Sequence, residues 1–391
     1  MQIRCIDRCE DLLPYQSAWN RLAQQSPTNT VFQTFEWLIS WWEALRASSQ
    51  LRVVLGFDKG NLVAAAPLVV TQRRRYGQTL VCVEFAGGMP SDYLDFLYQH
   101  ERDAVQLIAA LCTDMRWDLL HLDRIPVSSP TLSLLQQAFP GWRGTQFVCD
   151  FCPAYVFSSE HDGSDILKKK SLRRHENGLK KVGTVAVRHS MCAEEIEPQL
   201  EDFFAQHVGR RTLTDTPSLF LDARYKQFYR LLTRRLTLAG RVVFTTLSLD
   251  EHPVAFHYGF VSGQRFFWYM PAFSPQHERL SPGEVLLACL FRFCRDNHMQ
   301  ELDFTVGDEA FKSRFSNVKR YNMRFEAFRS RSLQQLDYVQ RRLWEKAKRF
   351  GLVRLLHAEW IKRRESSGAD QLRSNALSHS DLRLGDSESR R

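Results

Sequence analysis

Two β-hairpins are predicted by the alternation of apolar and polar residues, one in each half of the chain. The first spans 51–70, where LRVVLGF and NLVAAAPLVV flank the turn Asp58-Lys59-Gly60. The second spans 241–261, where RVVFTTLSL and PVAFHYGFV flank Asp250-Glu251-His252, and a third strand, RFFWYM, comes next. Both hairpins begin with Arg-Val-Val, at 52 and 241, so the two copies lie 189 residues apart.

The elements after each hairpin also repeat. In the first half a helical pattern near 104–115 leads to the apolar strand DLLHLD at 118–123. In the second half GEVLLACLFRFCRDN at 283–297 leads to QELDF at 300–304. The same order of elements occurring twice indicates an internal duplication. The sequence therefore predicts an α+β fold with two similar modules, each a mixed, mostly antiparallel sheet flanked by helices.

Helices with one apolar face are predicted before each hairpin. In the first half this helix is TFEWLISWWEALR, with Thr34 as its N-cap. In the second half apolar residues follow helical spacing from Ile196 to His207 and from Tyr225 to Leu232, and Gly240 is the predicted C-cap. Tryptophan-rich helix faces usually pack in a core, so we assign these faces to packing and not to ligand binding.

The C-terminal segment has a different pattern. Residues 331–364 alternate apolar and basic positions at helical spacing, with 11 Lys and Arg against three acidic residues between 329 and 364. Such a basic amphipathic helix either packs on its own domain or docks on an anionic membrane surface. Residues 365–391 are polar and have no core pattern, so we predict a disordered tail.

The charge is uneven along the 391 residues. Residues 1–160 carry a net charge of −3, and residues 161–391 carry +12. An Arg-rich excess is compatible with nucleic acid, anionic lipid or a phosphorylated small molecule. No apolar run approaches the length of a membrane-spanning helix, and the acidic N-terminus does not have the pattern of a secretory signal. Nine cysteines without such a signal favour a reducing, cytoplasmic compartment.

Common catalytic motifs are absent from the sequence: it has no phosphate-binding P-loop, no GxGxxG, no GxSxG and no HExxH. The only CxxC, Cys149 and Cys152, lies in a strand-like run and is interpreted as structural. The basic stretch KKKSLRRHENGLKK is either a solvated surface helix or a cradle for an anionic substrate, with Arg173 and Arg174 as donors.

Two features point to chemistry in the second copy. His257 lies in the apolar run VAFHYGF, and the matching residue of the first copy is Ala66. This histidine is either a hydrogen-bonded core residue or a group specialised for proton transfer. The run LDFTVGDEAFKSRF places Asp303 at a strand end, followed by Lys312. We interpret that run as the rim of an active site, the alternative being ordinary turn and surface residues.

Six motifs in fixed order, FQTFEWLISWW, PLVV, GMPSDYLDFL, SLRRHENGLKKVG, SPGEVLL and LDFTVGDEAFKSRF, resemble the CelD/BcsL family of acetyltransferases over about residues 30–330. That family is similar to the FemAB peptidoglycan aminoacyltransferases and has the GNAT-type acyltransferase fold, often as two tandem modules. The resemblance implies a GNAT-like module at 1–155 and a second module with the active site at 156–330. The basic helix predicted at 331–364 lies outside the region of resemblance.

The resemblance also implies transfer of an acyl group, such as acetyl from acetyl-CoA, to an amine or hydroxyl of a sugar-type acceptor in cellulose or exopolysaccharide synthesis. The GNAT signature at the helix start is met only in part, since only Gly283 is present and Arg279 comes one place early. Two alternatives therefore stay open: an aminoacyl-tRNA-dependent FemAB-like ligase and a non-catalytic scaffold of a polysaccharide synthesis complex. The expected location is the cytoplasm, with peripheral contact at the inner membrane as an open alternative.

Residue roles are assigned from this resemblance together with the residues themselves. The catalytic residues are predicted to be His257 as base, Asp303 as the group that orients it, and Lys312 as a neutralising cation. The predicted cofactor-binding residues are Arg279, Ser281 and Gly283, and the predicted substrate-binding residues are Asp92, Tyr93, Arg173 and Arg174. No metal is expected.

Overall fold

The structure is a computed structural model that describes residues 1–113, 115–140, 144–212 and 216–349. The strands are β1 Gln2–Ile6, β2 Gln50–Leu51, β3 Val53–Asp58, β4 Asn61–Ala66, β5 Leu68–Arg75, β6 Gln78–Phe85, β7 Leu97–Tyr98, β8 Leu119–Pro126, β9 Gly144–Phe151, β10 Ala154–Val156, β11 Val185–Ser190, β12 Val242–Leu249, β13 His252–Ser262, β14 Arg265–Phe273, β15 Glu301–Asp303 and β16 Tyr321–Phe328. The α-helices are α1 Gln16–Gln25, α2 Phe35–Leu45, α3 Glu101–Thr113, α4 Thr131–Ala138, α5 Ser164–Leu167, α6 Lys170–Val182, α7 Ala193–Ile196, α8 Leu200–Arg211, α9 Ala223–Thr237, α10 Pro282–Asp296, α11 Ala310–Phe315 and α12 Arg331–Arg349.

The described strands form three sheets, with orders β1-β3-β4-β7, β2-β5-β6-β8-β16-β9 and β10-β15-β14-β13-β12-β11. Neighbouring strands are antiparallel except for the pairs β6 with β8 and β14 with β15. Each parallel pair is connected through one long helix, α3 in the first half and α10 in the second. The predicted fold class, an α+β fold with mixed, mostly antiparallel sheets flanked by helices, is confirmed.

The two predicted hairpins have the same local geometry. Each has a two-residue turn in which both central residues have positive φ, 49° and 83° at Lys59 and Gly60, and 48° and 66° at Asp250 and Glu251. In each hairpin the register shifts between the second and third residue pair from the turn. Counting from the turns therefore places Ala66 and His257 at the same position.

One predicted strand is divided. Asn61–Val70 was expected to be continuous, but Pro67 separates β4 from β5, and these two strands pair in different sheets. Proline has no N–H for the ladder and its ring restricts the backbone, so a strand often ends there. In the second copy Gly259 stands near the corresponding place and β13 runs on with only a register shift.

The cleft that positions the functional site lies in the second half. Strands β14 and β15 pair only over 265–267 and 301–303, and β14 then continues to Phe273 while β15 has ended. The two strands therefore separate beyond Phe267 in β14 and Asp303 in β15. Helix α10, which connects them, begins beside this opening with Pro282.

The halves are interlocked by one strand. Strand β16 lies between β8 and β9 and pairs with both, so the sheet of the first half includes a strand that follows the second half in sequence. The predicted boundary at 155/156 falls inside β10, which pairs with β15. Residues 1–329 form one compact unit, and the division into modules 1–155 and 156–330 stays a prediction.

Aromatic side chains fill the core between the halves. Trp37 of α2 packs edge-on against Phe228 of α9, with ring centroids 5.3 Å apart. Phe32 contacts Phe267 in the same way at 5.8 Å. Thr34 caps α2 as predicted, because its Oγ1 accepts the N–H of Trp37 at 3.3 Å. Burial of these rings at the junction means that each half covers apolar surface of the other.

A second unit begins at Ser330, and its described part is α12, which runs to Arg349. Within α12, Arg341 Nε lies 2.6 Å from Asp337 Oδ2, an i, i+4 ion pair. The rest of the predicted basic helix and the whole predicted tail lie outside the described residues. Among the helices of the described ranges, none is long and apolar enough to cross a membrane. Docking of the basic helix on anionic lipid stays a prediction.

Candidate functional site

Two adjoining cavities open beside the cleft between β14 and β15. The first, of about 260 Å³, lies at the start of α10. The second, of about 250 Å³, lies between α8, α11 and the loop around Asp92. Both are lined by Arg210, Trp268, Pro271 and Phe311, so they adjoin each other and share these four residues as walls. The start of α10 and Asp92 therefore face neighbouring spaces.

The start of α10 is arranged to receive an anion. Ser281 has a left-handed backbone with φ of 51°, and Pro282 and Gly283 are the first helical residues. The first N–H groups of a helix have no partner within the helix, and its dipole favours negative charge there. Ser281 and Gly283 both line the first cavity, as predicted for a cofactor site, but Arg279 is exposed and is not one of its lining residues.

Glutamates also lie at this helix start. Glu284 lines the cavity, but its carboxylate is paired with Arg314 and lies 3.1 Å from Nδ1 of His175. The Arg210 guanidinium adds a cation to the cavity wall; it donates to the Pro271 carbonyl at 3.0 Å and lies 4.9 Å from the Phe273 ring centroid. Glu278 also lines the cavity and has no ion pair among the described residues, so the Arg210 guanidinium offsets its charge while the Glu284 carboxylate is already paired. The start of α10 then remains open to an anionic ligand.

Asp92 and Lys312 are brought together in the second cavity. Burial raises the pKa of Asp92 to about 6, although Arg124 and Lys312 oppose that shift. The Lys312 ammonium is buried; it donates to the Val306 carbonyl at 2.7 Å and lies 3.0 Å from a carboxylate oxygen of Glu309. An ammonium has three donors, so one N–H of Lys312 is left for a ligand. The pair can supply a base and a cation.

Asp303 has a different partner from the predicted one. Its carboxylate accepts the Tyr93 hydroxyl, at 2.8 and 2.9 Å to its two oxygens, and the Thr305 N–H at 2.7 Å. Burial, and the nearby charge of Glu301, raise the pKa of Asp303 to about 6. The contact of Tyr93 with Asp303 joins two residues 210 positions apart, so Tyr93 and Asp303 act as a structural link and Asp303 does not orient His257.

His257 is placed in the sheet interior and not in a cavity wall. It is fully buried, and its ring stacks on Trp268 at 4.4 Å between centroids. Nε2 accepts the backbone N–H of Tyr269 at 3.1 Å, next to the register shift in which the ladder between β13 and β14 is interrupted. Gly259 gives the ring room, because a Cβ there would lie 2.4 Å from His257 Cε1.

The predicted role of His257 as general base is therefore corrected. Burial lowers its pKa to about 3, and its unprotonated nitrogen is already occupied by a backbone donor. A base must lie within hydrogen-bond reach of the proton that it removes, and this nitrogen does not face the ligand space. The His257 side chain instead accepts the backbone N–H of Tyr269 where the register of β13 and β14 shifts. Among the described carboxylates of the two cavities, Asp92 is the better candidate for the base.

Arg173 and Arg174 lie on α6, outside both cavities. Both side chains are exposed on a helix that packs beside α10, and His175 of the same helix contacts Glu284. The predicted helix is present, and its basic face is directed to solvent. A role in binding a small substrate inside the cavities is not supported by this placement, so these two arginines remain candidates only for a larger anionic partner.

Sequence reasoning missed Arg210, Thr305 and Tyr269. Arg210 lies in the last turn of the amphipathic helix α8. The pair of arginines directly before TLTDTP is the sequence signal that could have identified it. Thr305 has a left-handed backbone with φ of 56°, unusual for a β-branched residue and typical of strained functional segments. The Tyr269 hydroxyl donates to the Pro90 carbonyl at 2.6 Å and so fixes the loop that carries Asp92.

Acid sensitivity gives a test of the His257 assignment. The pKa of His257 is about 3 in the folded protein and about 6.5 in the unfolded chain. Between these two pH values the unfolded chain therefore binds a proton at His257 that the folded protein does not bind. Acidification below about 6.5 therefore removes stability from the wild type, by up to about 1.4 kcal/mol per pH unit. The stability of His257→Gln does not depend on pH in this way, because glutamine does not bind a proton in this range. Urea unfolding at pH 7.0 and 4.5 is expected to show the stability gap between wild type and variant narrowing at the lower pH, and a constant gap would refute the assignment.

Comparison with known proteins bears on the fold of the chain. Residues 168–313 match the model of an acetyltransferase (GNAT) domain. The chain is similar to the crystal structure of FemX, with a TM-score of 0.59 and 10% identity over 86% of this chain and 99% of that one. The chain is also similar to a conserved protein of unknown function from Bacteroides thetaiotaomicron, with a TM-score of 0.55 and 13% identity over 84% of this chain and 100% of that one. A third similar structure is the C-terminal domain of a protein described as a lysylphosphatidylglycerol synthetase, from Agrobacterium fabrum. Its TM-score is 0.51, with 10% identity over 83% of this chain and 94% of that one.

No curated protein sequence matches the chain significantly. At these identities the solved structures show a shared fold only. The chain thus has a GNAT-type acyltransferase fold, and the matched domain contains the start of α10 together with Asp303 and Lys312. Membership of the CelD/BcsL family stays a prediction.

Proposed function

We propose that this protein is an acyltransferase that moves an acyl group, such as acetyl, from acyl-CoA to an amine or hydroxyl acceptor. The observation that carries the proposal is that two cavities beside the β14–β15 cleft adjoin each other and share four lining residues. One is lined by the start of α10, which suits phosphate, and the other by Asp92 and Lys312. A donor with a phosphate group at one end and a reactive carbonyl at the other fits this arrangement.

The residues at the helix start fit the CoA pyrophosphate. Pro282 has no N–H to offer, so the Gly283 N–H is the first available donor, and Gly283 leaves close approach open because no side chain covers it. The wall between the phosphate end and Asp92 is formed by Trp268, Phe273 and Phe311 together with Arg210. An apolar wall with one cation suits the part of acyl-CoA that joins the phosphates to the thioester.

Asp92 supplies the base in the proposed chemistry. With its pKa at about 6 the carboxylate is mostly ionised at neutral pH and accepts the proton that the nucleophile loses. A C–N or C–O bond then forms while the C–S bond breaks, and CoA leaves as the thiol after protonation. Lys312 is positioned to stabilise negative charge on the carbonyl oxygen through its remaining N–H.

For the acceptor we propose an amine or hydroxyl of a sugar-type molecule, with a role in cellulose or exopolysaccharide synthesis. This choice of acceptor rests on the sequence resemblance. The polar lining contributed by Asp92, Thr305 and Arg210 is compatible with a hydroxylated acceptor. If the chain were instead a non-catalytic scaffold, neither donor binding nor turnover would be found.

A thermal-shift comparison tests the donor. Acetyl-CoA, free CoA and bulk tRNA are each added to the full chain at saturating concentration. A ligand present at about a hundred times its Kd stabilises the folded state by about 2.7 kcal/mol, so we expect acetyl-CoA and CoA to raise the Tm by about 3–8 °C. A shift with tRNA and none with either CoA compound would transfer the assignment to aminoacyl transfer.

Aminoacyl-tRNA is retained as a second donor because of α6. Its exposed face carries Lys170, Arg173, Arg174, Lys180 and Lys181, and this helix packs beside α10. Among the described residues no carboxylate is ion-paired with any of these five side chains. A basic surface next to the donor cavity can contact nucleic-acid phosphates, and such binding would weaken steeply with salt.

A further inference from the structure

Helix α12, Arg331–Arg349, leaves three apolar side chains open to solvent. Leu336, Val339 and Leu343 are 47, 53 and 61% exposed. They follow one another at steps of three and four residues, so they lie on a single face of the helix, and we call them the apolar stripe. Single exposed apolar side chains are ordinary on a protein surface, whereas apolar side chains grouped on one face mark an interaction surface.

Two basic side chains border the apolar stripe. Arg342 comes three residues after Val339 and Lys346 comes three residues after Leu343, so each lies beside a residue of the stripe, and we call the pair the basic edge. Both are exposed, and neither is ion-paired with a carboxylate among the described residues. The Arg342 guanidinium lies 5.0 Å from the ring centroid of Tyr338, which is also exposed. The helix therefore presents apolar and cationic groups side by side to solvent.

Exposure and charge disfavour two possible occupants of the apolar stripe. If the stripe packed on the chain itself, its side chains would be buried, but each is about half exposed. A second copy of α12 would bring another basic edge close to the first, and like charges in an interface oppose binding. The nearby Asp337 does not change this, because it is buried and its carboxylate lies 2.6 Å from Arg341 Nε. An anionic partner with an apolar interior fits both features of the helix.

We infer that the apolar stripe and the basic edge of α12 dock this protein on an anionic lipid surface. The stripe enters the boundary between headgroups and acyl chains, as the apolar face of an interfacial helix does. Arg342 and Lys346 reach the charged headgroups, since long basic side chains lie along apolar surface and extend their charges outward. A nucleic acid would contact the basic edge but leave the stripe in water. The inference does not depend on the acyl-transfer proposal.

Co-sedimentation of the full chain with lipid vesicles tests this inference. One set of vesicles is phosphatidylcholine alone, and in the other about 30% of the lipid is the anionic phosphatidylserine. At about 0.05 M NaCl we expect the anionic vesicles to be bound at least about 10-fold more tightly than the neutral ones. Binding should weaken at about 0.5 M NaCl, because salt screens the charges of the basic edge.

Two variants assign the binding to α12. Arg342→Gln combined with Lys346→Gln is expected to weaken binding by about 10- to 30-fold, since each basic side chain near an anionic surface contributes about 5-fold. Leu343→Ser is expected to weaken binding by about 3- to 10-fold. Leu238→Ser is the matched control, because Leu238 is 90% exposed and lies directly after α9, and it should leave the affinity unchanged. All four side chains are exposed, so the Tm of each variant should equal that of the wild type.

Other basic surfaces and other occupants are distinguished in the same assay. Lys180→Gln combined with Lys181→Gln on α6 should leave vesicle binding unchanged. Loss of binding in this variant with both α12 variants unaffected would overturn the inference, as would equal binding to the two kinds of vesicle or none to either at low salt. A dimer in lipid-free solution that Leu343→Ser dissociates would also overturn it, because a second copy would then cover the apolar stripe. Binding of bulk tRNA through the basic edge, without vesicle binding, would replace the lipid surface by nucleic acid.

Discussion

Asp92→Asn is expected to lower the rate of acyl transfer by about two to four orders of magnitude, because the amide cannot accept the proton of the nucleophile. The wild-type rate should rise between about pH 5 and 7 and level off above, since the pKa of Asp92 is about 6 and the ionised form is the base. In the variant this rise should disappear. Release of the CoA thiol from acetyl-CoA, measured with an acceptor that the wild type acylates, reports both effects.

Asp150→Asn is the matched control for this prediction. Asp150 Oδ2 lies 3.6 Å from Arg124 Nε, on the same arginine that approaches Asp92, but Asp150 lines neither cavity of the site. A general electrostatic disturbance of Arg124 would affect both variants equally. Retention of near-wild-type turnover by Asp92→Asn would remove Asp92 from the mechanism.

A fragment of residues 1–155 is expected not to fold, whereas residues 1–329 should fold cooperatively. The shorter fragment lacks β16, which pairs with β8 on one side and β9 on the other. Strand β9 would lose its only described ladder, β8 would keep only its pairing with β6, and apolar surface would be exposed. It also lacks α9, so Trp37 of α2 would lose its contact with Phe228. Aggregation or the absence of a cooperative thermal transition is the expected result for 1–155.

The longer fragment provides the control, because the compact unit ends at Arg329. Circular dichroism melting of both fragments and of the full chain compares them directly. A soluble 1–155 fragment with a cooperative transition would show that β16 is dispensable for the first sheet. A 1–329 fragment that fails to fold would show that residues beyond 329 are needed.

Local patterns made much of the fold predictable from the sequence. Both hairpins, the Thr34 cap and the helix that starts at Pro282 depend on residues close together in the chain, and all are present. The correspondence of Ala66 with His257 was also predicted from the sequence. The insertion of β16 into the first sheet could not be predicted, because its pairing partners in β8 lie far away in sequence, such as Pro126 for Asn322 and Leu119 for Phe328, and such distant pairing leaves no periodic signal in either strand.

The site was predictable only in part. Lys312 was predicted from the run LDFTVGDEAFKSRF and Asp92 was predicted as a substrate-binding residue, and the structure places both in one cavity. The roles of His257 and Asp303 depend on tertiary contacts, a backbone N–H freed by a register shift and a tyrosine hydroxyl from the other half of the chain. An apolar run around a histidine cannot distinguish a core position from a cleft. Arg210 was missed because an arginine at a helix end is usually solvated.

The central claim is that the start of α10 binds the phosphates of an acyl-CoA donor, and Gly283 allows its most direct test. A Cβ at this position would lie 3.5 Å from Phe273, an ordinary contact, so a small side chain can be accommodated. Gly283→Asp places a negative charge where the pyrophosphate is proposed to bind, while the same charge favours the helix dipole and should preserve stability. Gly283→Asn has the same shape without the charge and is the matched control.

Acetyl-CoA binding to these two variants and to the wild type, measured by isothermal titration calorimetry, is the deciding measurement. We expect Gly283→Asp to bind at least about 10-fold more weakly than Gly283→Asn, with a Tm no lower than that of the asparagine variant. Equal affinities of the aspartate and asparagine variants for acetyl-CoA would contradict the proposed donor site.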